Sequence, residues 1–471
     1  MAVYRKRRRI LLATIIVSAT VGILAAGWSW STRNPQDLTL QELAQAAGRS
    51  YVFGYPLVLM DETRRDAIER AGLAPNRLAH VRSLPEAGFT AVVRPNADTL
   101  YSIAWLELGA VPLQLDIPPM EGRYWLFQGL DAWTNVFADA GVRTLGDGHT
   151  SVLIAGPDFE GEAPEGMVLY RSPTRMAWLL GRIEIDGGDD LHAVHRLQDG
   201  VRLYPYRAMP GGQGVSLERP LAGTGGATPP ERVAELDAPT FLNRLGALMV
   251  ANPPASSDRD ALHRLQAING GPGQAVDWSE YGILAMQAML RGVDAARARL
   301  DAGPVQAAGW TVPEGHIGRY GGDHAYRAGV AHYGLGANLP EDAVYPAASR
   351  DADGEPLAGG VHYRIRFAPG NLPPVNAFWS VTLYDADGYF IANDANRHAL
   401  TSRDALVADE DGTITLDIHA GPPEEGRESN WLPAPPRGAF TLLARLYWPQ
   451  ESVLDGSWTM PPVERVEEPA G

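Results

Sequence analysis

The chain has 471 residues, a net charge of −16 at pH 7, 51 glycines, 37 prolines and no cysteine. The missing cysteine excludes thiol nucleophiles, disulfides, thiolate zinc sites and cysteine-ligated iron–sulfur clusters, and Lys6 as the only lysine excludes a P-loop and Schiff-base chemistry from the rest of the chain. An acidic chain repels phosphate backbones, so we expect no nucleic-acid partner. The length allows two or three domains.

The N-terminus combines a basic segment with an apolar one. Residues 5–9 are all basic and residues 10–32 carry no charge. The run ILLATIIVSATVGILAAGW is long enough to cross about 30 Å of hydrocarbon. We therefore expect residues 1–32 to be a cytoplasmic tail and an inner-membrane anchor, with the body in the periplasm. The alternative is a signal sequence, cleaved near residues 25–27, that releases the body into the periplasm.

Residues 37–225 are predicted to form a first β domain with a leading helix. Residues 38–71 carry apolar side chains at helical spacing, and Gly72 follows where a helix is expected to end. Short strands separated by loops rich in Gly and Pro come next, at a spacing typical of a sandwich or a barrel. These strands are predicted at 103–108, 112–117, 123–131, 151–155 and 167–171.

Two polar clusters border these strands. Their members are Arg94, Asn96, Asp98, Thr99 and Tyr101 in the first, and Gln128, Asp131, Trp133, Asn135, Asp139 and Arg143 in the second. Carboxylates can transfer protons or ligate cations, and rings can stack on a substrate. We predict Asp98 and Asp131 as catalytic groups. The predicted substrate-binding residues are Asn96, Tyr101, Trp133 and Asn135. The alternative is that Asn and Asp cap turns and strand ends.

Residues 226–337 are predicted to be a helical insertion and linker. Pro229 and Pro230 begin one helix, residues 255–258 cap a second, and residues 279–300 form a third. His316, His324 and His332 recur every eight residues. Because eight residues advance about 80° around a helix, this spacing does not bring the three rings together, and we predict no metal site.

Residues 338–465 are predicted to be a second β-sandwich domain built on the stretch 371–389. Ala377, Trp379, Val381 and Leu383 lie on one face of its strand, and Phe378, Ser380, Thr382 and Tyr384 on the other. A turn at 385–388 and a return strand at 389–392 complete a hairpin. Further strands are predicted at 362–367, 413–418 and 440–448. The motif Asp-x-Asp-Gly occurs at 351–354, 385–388 and 409–412, and we interpret it as turns rather than calcium loops.

The loops of this second domain hold a third group of candidate residues. Asn393, Asn396 and Arg397 follow the predicted hairpin, and Trp431 lies in a proline-rich loop. An arginine, amides and an indole on loops can form the mouth of a binding site. We therefore predict these four as substrate-binding residues and expect any chemistry on loops rather than on the strand, with turn formation as the alternative.

Several strings resemble two known families. RPNADTLYS at 94–102, SPT at 172–174 and LGR at 180–182 resemble the domain of unknown function 1254. Further strings resemble the usual companion of that family, the domain of unknown function 1214. They are ANL at 337–339, DAVY at 342–345, FWSVTLY at 378–384, NWLPAP at 430–435 and LDGSW at 454–458. The resemblance implies two jelly-roll-like β-sandwich domains with a helical insertion, in bacterial envelope proteins, and no settled activity.

The sequence thus predicts a mainly β protein with helices: two jelly-roll-like sandwiches, a helical insertion and an N-terminal membrane helix. We expect a hydrolase or lyase that acts, without a cofactor, on a glycan or related polar substrate in a cleft between the β domains. The alternative is a non-catalytic envelope protein that binds a small-molecule or glycan ligand or a partner, as a monomer or homo-oligomer. The enzyme is favoured if Asp98, Asp131 and Arg397 line one pocket with carboxyls within about 10 Å.

Overall fold

A computed structural model of the chain describes residues 37–89, 93–208, 214–217, 227–302, 309–313 and 315–466. The predicted membrane segment lies outside these residues, so the anchor and the cleaved signal both stay predictions. Within the described ranges, no helix is sufficiently long and apolar to cross a membrane. The chain divides into two compact units, and the helical one comprises the described residues of Met1–Glu62, Pro230–Gly303 and Gly321–Tyr333. The other unit contains the β-sheets.

The leading helix and the helices of the middle region are present as predicted, and three further helices at 142–145, 191–200 and 451–454 were not predicted. In chain order, the described helices are α1 (Leu40–Glu69), α2 (Val142–Leu145), α3 (Leu191–Gly200), α4 (Pro229–Glu235), α5 (Ala238–Leu248), α6 (Arg259–Gln266), α7 (Ile283–Asp301), α8 (His324–Gly334) and α9 (Glu451–Leu454). A capping box begins α1, since Thr39 and Glu42 each accept a hydrogen bond from the backbone N–H of the other, at 3.2 Å and 2.9 Å. As far as Glu62, α1 groups with the helical middle, whereas we had assigned the leading helix to the first β domain.

Glycine explains how α1 and α7 pack in the helical unit. A Cβ on Gly292 of α7 would stand 2.0 Å from the carbonyl oxygen of Ala44, and a Cβ on Gly48 of α1 would stand 2.5 Å from the carbonyl oxygen of Gly292. The two backbones therefore touch where neither helix has a side chain. Periodicity identifies the helices, but it does not identify this close approach.

We expect Gly292→Ala to lower the free energy of unfolding by about 1–3 kcal/mol, because an added methyl at a backbone contact forces the helices apart. Chemical denaturation measures the loss. Gly329→Ala in α8 is the matched control: open space surrounds its Cβ position, so better helix propensity should stabilise the protein by about 0.5–1 kcal/mol. Equal effects of the two substitutions would contradict this account of the packing.

Two of the spaced histidines pair with side chains inside the helical unit. The Nε2 atom of His324 lies 2.9 Å from Oδ1 of the buried Asp258, which also pairs with Arg327. The Nδ1 atom of His332 lies 2.7 Å from the hydroxyl of Tyr55. In the described part of the chain, no group of three His, Asp or Glu side chains could hold a metal ion.

The first sandwich places a core between a six-stranded and a four-stranded sheet, in the orders β10-β1-β2-β8-β4-β5 and β7-β6-β3-β9. Its strands are β1 (Ala79–Val81), β2 (Thr99–Glu107), β3 (Leu113–Ile117), β4 (Trp125–Asp131), β5 (Val136–Gly141), β6 (Thr150–Ala155), β7 (Val168–Arg171), β8 (Met176–Glu184), β9 (Arg202–Pro205) and β10 (Val215–Leu217). The five predicted strands are present within a few residues. We did not predict β8, although it lies between β2 and β4.

The second sandwich is built in the same way from the sheets β11-β13-β19-β15-β16 and β18-β17-β14-β20, with β12 paired to β19. Its strands are β11 (Trp310–Thr311), β12 (Ala343–Val344), β13 (Ala347–Ala348), β14 (Tyr363–Phe367), β15 (Trp379–Asp385), β16 (Ala399–Thr401), β17 (Ile414–His419), β18 (Trp431–Pro433), β19 (Phe440–Tyr447) and β20 (Glu464–Arg465). The four sheets of the two sandwiches, together with the helices, make the described chain mainly β with helices, as predicted.

The predicted hairpin is only half correct. Asp385 forms the expected turn: its carboxylate accepts the backbone N–H of Tyr389 at 2.8 Å, and Gly388 has a φ of 89°. Residues 389–392 do not form a strand, however, and β15 pairs with β19 and β16 instead. The other two Asp-x-Asp-Gly motifs are also turns, closed by Gly354 and Gly412 at φ of 83° and 84°.

Candidate functional site

Strand β15 is buried on both faces. Trp379, Val381 and Leu383 belong to the core of the second sandwich, which confirms the predicted alternation. On the opposite face, Ser380, Thr382 and Tyr384 are fully buried as well. Because this face is polar and buried, its side chains need partners, and residues of the first sandwich and its preceding loop supply them.

We call the resulting layer of side chains the polar seam. It consists of Asn96, Asp98, Tyr101, Arg182 and Glu184 from the first β region and Tyr345, Ser380, Thr382, Tyr384, Arg403, Arg445 and Tyr447 from the second. All of these residues lie in the β-containing unit.

Asp98 links the two sides of the polar seam. It is fully buried, and its Oδ2 accepts hydrogen bonds from the hydroxyl of Ser380 at 2.6 Å and of Tyr447 at 3.5 Å. Arg403 approaches its other oxygen to 3.6 Å. The Asp98 carboxylate therefore binds three side chains of the second sandwich, which makes it a structural link as well as a candidate proton-transfer group.

Arg445 projects into the seam from β19 and is 3% exposed. Its guanidinium donates to the hydroxyls of Thr382 at 2.7 Å and Tyr384 at 2.6 Å, and to the carbonyl of Arg94 at 3.1 Å. Among the described residues, no carboxylate lies within ion-pair distance of Arg445. The hydrogen bonds satisfy the N–H groups of this cation, but they do not neutralise its charge.

Arg182 on β8 is a second buried arginine, on the other side of the seam. It is directly across from Tyr101 on β2, and its guanidinium carbon lies 5.3 Å from the centre of the Tyr101 ring. It donates to the carbonyl of Gly336 at 2.7 Å and, within the described chain, has no carboxylate partner. Asn96 completes this group by donating to the hydroxyls of Tyr447 at 3.0 Å and Tyr101 at 3.4 Å.

Tyr101 is the phenol of this group that ionises most readily. Burial raises its pKa, but the charge of Arg182 and hydrogen bonds from Arg182 and Asn96 outweigh burial and leave the pKa below its ordinary value. Burial dominates at Tyr345, whose pKa is raised to about 12. Tyr101 is also only partly buried. A partly accessible group with a perturbed pKa marks a candidate functional site.

The formal charges of the polar seam do not cancel. Three guanidinium groups, those of Arg182, Arg403 and Arg445, face two carboxylates, those of Asp98 and Glu184, and the Glu184 carboxylate lies 3.0 Å from Arg403. Asp186 also lies 3.6 Å from Arg403, but its side chain is 71% exposed and is screened by solvent. One positive charge therefore stays uncompensated inside the seam.

Asp131, Trp133 and Asn135 form a turn at the end of β4. The Asp131 carboxylate accepts the backbone N–H groups of Trp133 at 2.8 Å and Asn135 at 2.9 Å, and the Asn135 amide at 3.0 Å. Between them, Thr134 adopts a φ of 68°. The hydrogen bonds of this group are those of turn formation, the alternative that we weighed for it.

The two predicted catalytic carboxyls are not neighbours. Asp131 lies opposite Ala177 at one end of β8, and Asp98 precedes Thr99, which lies opposite Glu184 at the other end. Seven residues of strand separate these ends by about 23 Å. Asp98 and Asp131 therefore do not form the carboxyl pair, about 5–10 Å apart, that glycosidases use.

The loop candidates of the second sandwich bind one another. Asn393 accepts the backbone N–H of Arg397 at 3.0 Å, and Asn396 adopts a φ of 45° in the same turn. Arg397 donates to the carbonyl of Trp431 at 3.0 Å, and the Trp431 indole donates to the carbonyl of His419 at 3.0 Å. These bonds hold two loops together within the second sandwich, and the binding role of the four residues stays a prediction.

The structure thus brings together Asn96, Asp98 and Tyr101 from the predicted set and adds Arg182, Arg445 and Tyr447, which we did not predict. The sequence did contain one indication that Arg445 and Arg182 are buried. Arg445 lies in the middle of the apolar run TLLARLYW, and arginine is rarely buried unless it has partners. The same reasoning applies to Arg182 in the run AWLLGRIEI.

Two β-sandwiches joined through a buried polar seam, accompanied by a helical unit, define the class of this protein. The model of the family described as "Protein of unknown function (DUF1254)" matches residues 75–205, and that of "Protein of unknown function (DUF1214)" matches residues 342–451. The chain therefore belongs to the proteins that pair these two families, as its motifs implied.

A solved structure shares the fold. The VPA0106 protein from Vibrio parahaemolyticus is similar at 24% identity and a TM-score of 0.66, over 91% of this chain and 100% of that chain. An uncharacterized protein from Burkholderia cenocepacia aligns at 13% identity and a TM-score of 0.44, over 91% of this chain and 95% of that chain. No curated relative matches the sequence. The first likeness supports the fold alone.

Proposed function

We propose that the polar seam binds a small polar molecule that carries one carboxylate, such as a uronic acid unit of an envelope glycan. The observation behind this proposal is the uncompensated positive charge among Arg182, Arg403 and Arg445. A buried cation is costly without a counter-ion, and a monoanionic ligand supplies the missing charge. Arginine also suits a carboxylate because its planar guanidinium can donate two parallel hydrogen bonds.

The ligand would enter beside Asn96, Tyr101 and Tyr345, which are three of the partly buried residues of the seam. There the Asn96 amide and the Tyr101 phenol can bind hydroxyl groups, and Arg182 lies directly behind the Tyr101 ring. The deeper residues Arg445 and Asp98 hold the two sandwiches in register. In this arrangement Arg182 recognises the charge of the ligand, and the neutral groups position its polar part.

Calorimetric titration of the full chain with glucuronate, and with glucose as a neutral analogue, tests this proposal. We expect binding of glucuronate alone. Arg182→Met should weaken it about tenfold or more, because hydrogen bonds to a charged group contribute about 1.5–3 kcal/mol. Arg366→Met on β14 is the matched control, since Arg366 is exposed. Equal binding of glucose, or an unchanged affinity in Arg182→Met, would contradict the proposal.

A lyase is the second candidate, and the lowered pKa of Tyr101 favours it. The Tyr101 phenolate would remove the proton on the carbon next to the ligand carboxylate, while Arg182 stabilises the negative charge that develops there. The electron pair then forms a carbon–carbon double bond as the glycosidic C–O bond breaks, and Tyr101 returns the proton to the leaving oxygen. Binding without turnover would favour the non-catalytic alternative.

The finer parts of the architecture belong to the same proposal. The uncharged run at 10–32 after a basic segment supports a membrane anchor with the body in the periplasm, and the family resemblance supports jelly-roll connections in both sandwiches. The mass of the mature protein would distinguish an anchored chain from one whose signal sequence has been removed.

A further inference from the structure

The helical unit exposes large apolar side chains at the beginning of α7. Ile283 and Leu284, the first two residues of this helix, are 70% and 64% exposed. Leu290 follows on the same face and is also exposed, as is the polar Gln287 between them. A single exposed leucine needs no explanation, but several large apolar side chains grouped at one end of a helix mark an interaction surface. We call Ile283, Leu284 and Leu290 the α7 tip.

α1 runs beside α7 in the same direction. Ala44 contacts Gly292, and further along both helices the guanidinium carbon of Arg297 lies 5.5 Å from the centre of the Tyr51 ring. The two N-termini therefore lie at the same end of the helical unit. α7 begins nine residues before Gly292, about 14 Å, whereas α1 begins four residues before Ala44, about 6 Å. The α7 tip thus extends beyond the first turn of α1.

The predicted membrane anchor leads directly to this end of the helical unit. The uncharged run at 10–32 ends five residues before Asp37, the first described residue. An extended chain covers at most about 3.6 Å per residue, so these five residues span no more than about 18 Å. An anchor at 10–32 would therefore hold the beginning of α1 close to the bilayer surface, with the α7 tip on the same side.

We propose that the α7 tip rests on the lipid surface and fixes how the helical unit stands on the bilayer. The proposal depends on the anchor proposed above. Ile283 and Leu284 would enter the boundary between headgroups and acyl chains, as the apolar face of an interfacial helix does. The segment before α7 carries Asp277 and Glu280, both exposed, and anionic lipids attract basic segments rather than acidic ones. The attraction is therefore apolar, and phosphatidylcholine is sufficient for it.

Because the chain has no cysteine, one introduced thiol can report on this contact. Gln287→Cys in the full chain is labelled with bimane and reconstituted into phosphatidylcholine vesicles, with and without a lipid that carries a nitroxide near its headgroup. The nitroxide should quench more than about half of the emission, since an interfacial helix face lies about 5–10 Å into the headgroup boundary. Ala298→Cys is the matched control: it is exposed on the same helix about 17 Å further along and should keep its emission.

Carboxylates on the α7 tip should remove the contact. Ile283→Glu combined with Leu284→Glu in the labelled Gln287→Cys chain should reduce the quenching about fivefold or more, because an ionised carboxylate does not enter an apolar boundary. Both positions are largely exposed, so the variant should fold. Quenching that survives in this variant, or equal quenching at positions 287 and 298, would overturn the proposal.

Flotation of the vesicles separates docking from anchoring. A chain that floats with the vesicles but is not quenched at position 287 retains the anchor and overturns the docking, whereas a chain that does not float overturns both. A label at 287 that is shielded from aqueous iodide without being quenched by the lipid would assign the α7 tip to a second copy of the chain instead. None of these outcomes bears on glucuronate binding, which is measured separately.

Discussion

Replacing Asp98 by alanine is expected to lower the free energy of unfolding by about 3–5 kcal/mol, the range for breaking a buried ion pair from one side. The substitution removes the acceptor of the Ser380 and Tyr447 hydroxyls and one carboxylate partner of Arg403. The Ser380 and Tyr447 hydroxyls are fully buried, so the cost of desolvating them stays while their bonds are lost. Urea denaturation monitored by tryptophan fluorescence measures the change.

Two further variants separate charge from hydrogen bonding. Asp98→Asn keeps an acceptor oxygen for Ser380 and loses the attraction to Arg403, so its cost should be smaller, about 1–3 kcal/mol. Asp394→Ala, on an exposed loop, should change stability by less than about 0.5 kcal/mol. An Asp98→Ala protein as stable as the Asp394→Ala protein would show that Asp98 does not link the sandwiches.

The second large effect concerns Tyr101→Phe. If the chain is a lyase, removal of the phenol should reduce kcat by about 10²–10⁴-fold, the usual contribution of a general base, with glucuronate affinity changed only a few-fold. Steady-state turnover of an acidic glycan, followed by the absorbance of the unsaturated product, gives kcat. Tyr389→Phe in the β15 turn is a matched control. Turnover that survives in Tyr101→Phe would exclude Tyr101 as the base.

The ionisation of Tyr101 should change both the stability of the protein and its affinity for a carboxylate as the pH changes. Its folded-state pKa lies below the ordinary value of about 10, so the phenolate forms in the folded protein at a lower pH than in the unfolded chain. The resulting stabilisation is complete above pH 10 and is lost as the pH falls through the folded pKa. As the pH rises through the folded pKa, the Tyr101 phenolate forms and neutralises the excess positive charge of the polar seam. The affinity of the protein for a carboxylate ligand should therefore fall. Tyr101→Phe should abolish this fall.

Local patterns predicted the parts of the fold that depend on neighbouring residues. The alternation in β15 follows from a period of two, and the three Asp-x-Asp-Gly turns follow from the φ that glycine permits. The prediction of a return strand at 389–392 was wrong because a turn does not determine which strand pairs with β15. β15 instead pairs with β19, where Trp379 lies opposite Leu446 in a distant part of the sequence.

The candidate site was only partly predictable because it is made of long-range contacts. Asn96, Asp98 and Tyr101 were identified from a short polar motif, but Arg182 and Arg445 look like single charges in apolar strands. Their role depends on which sheet faces meet. The separation of Asp98 from Asp131 likewise depends on the position of β8, a strand that the sequence pattern did not reveal.

The distance along the chain between Asp98 and Tyr447 has a consequence for biosynthesis. The two residues are 349 positions apart, and domains generally begin to fold as they leave the ribosome, N-terminal parts first. The sheet face that carries Tyr101 and Arg182 is therefore exposed while more than 200 further residues are made. During that time its buried charges are solvated and its apolar neighbours are open to aggregation or to a chaperone. The polar seam is therefore complete only after β19 has been made.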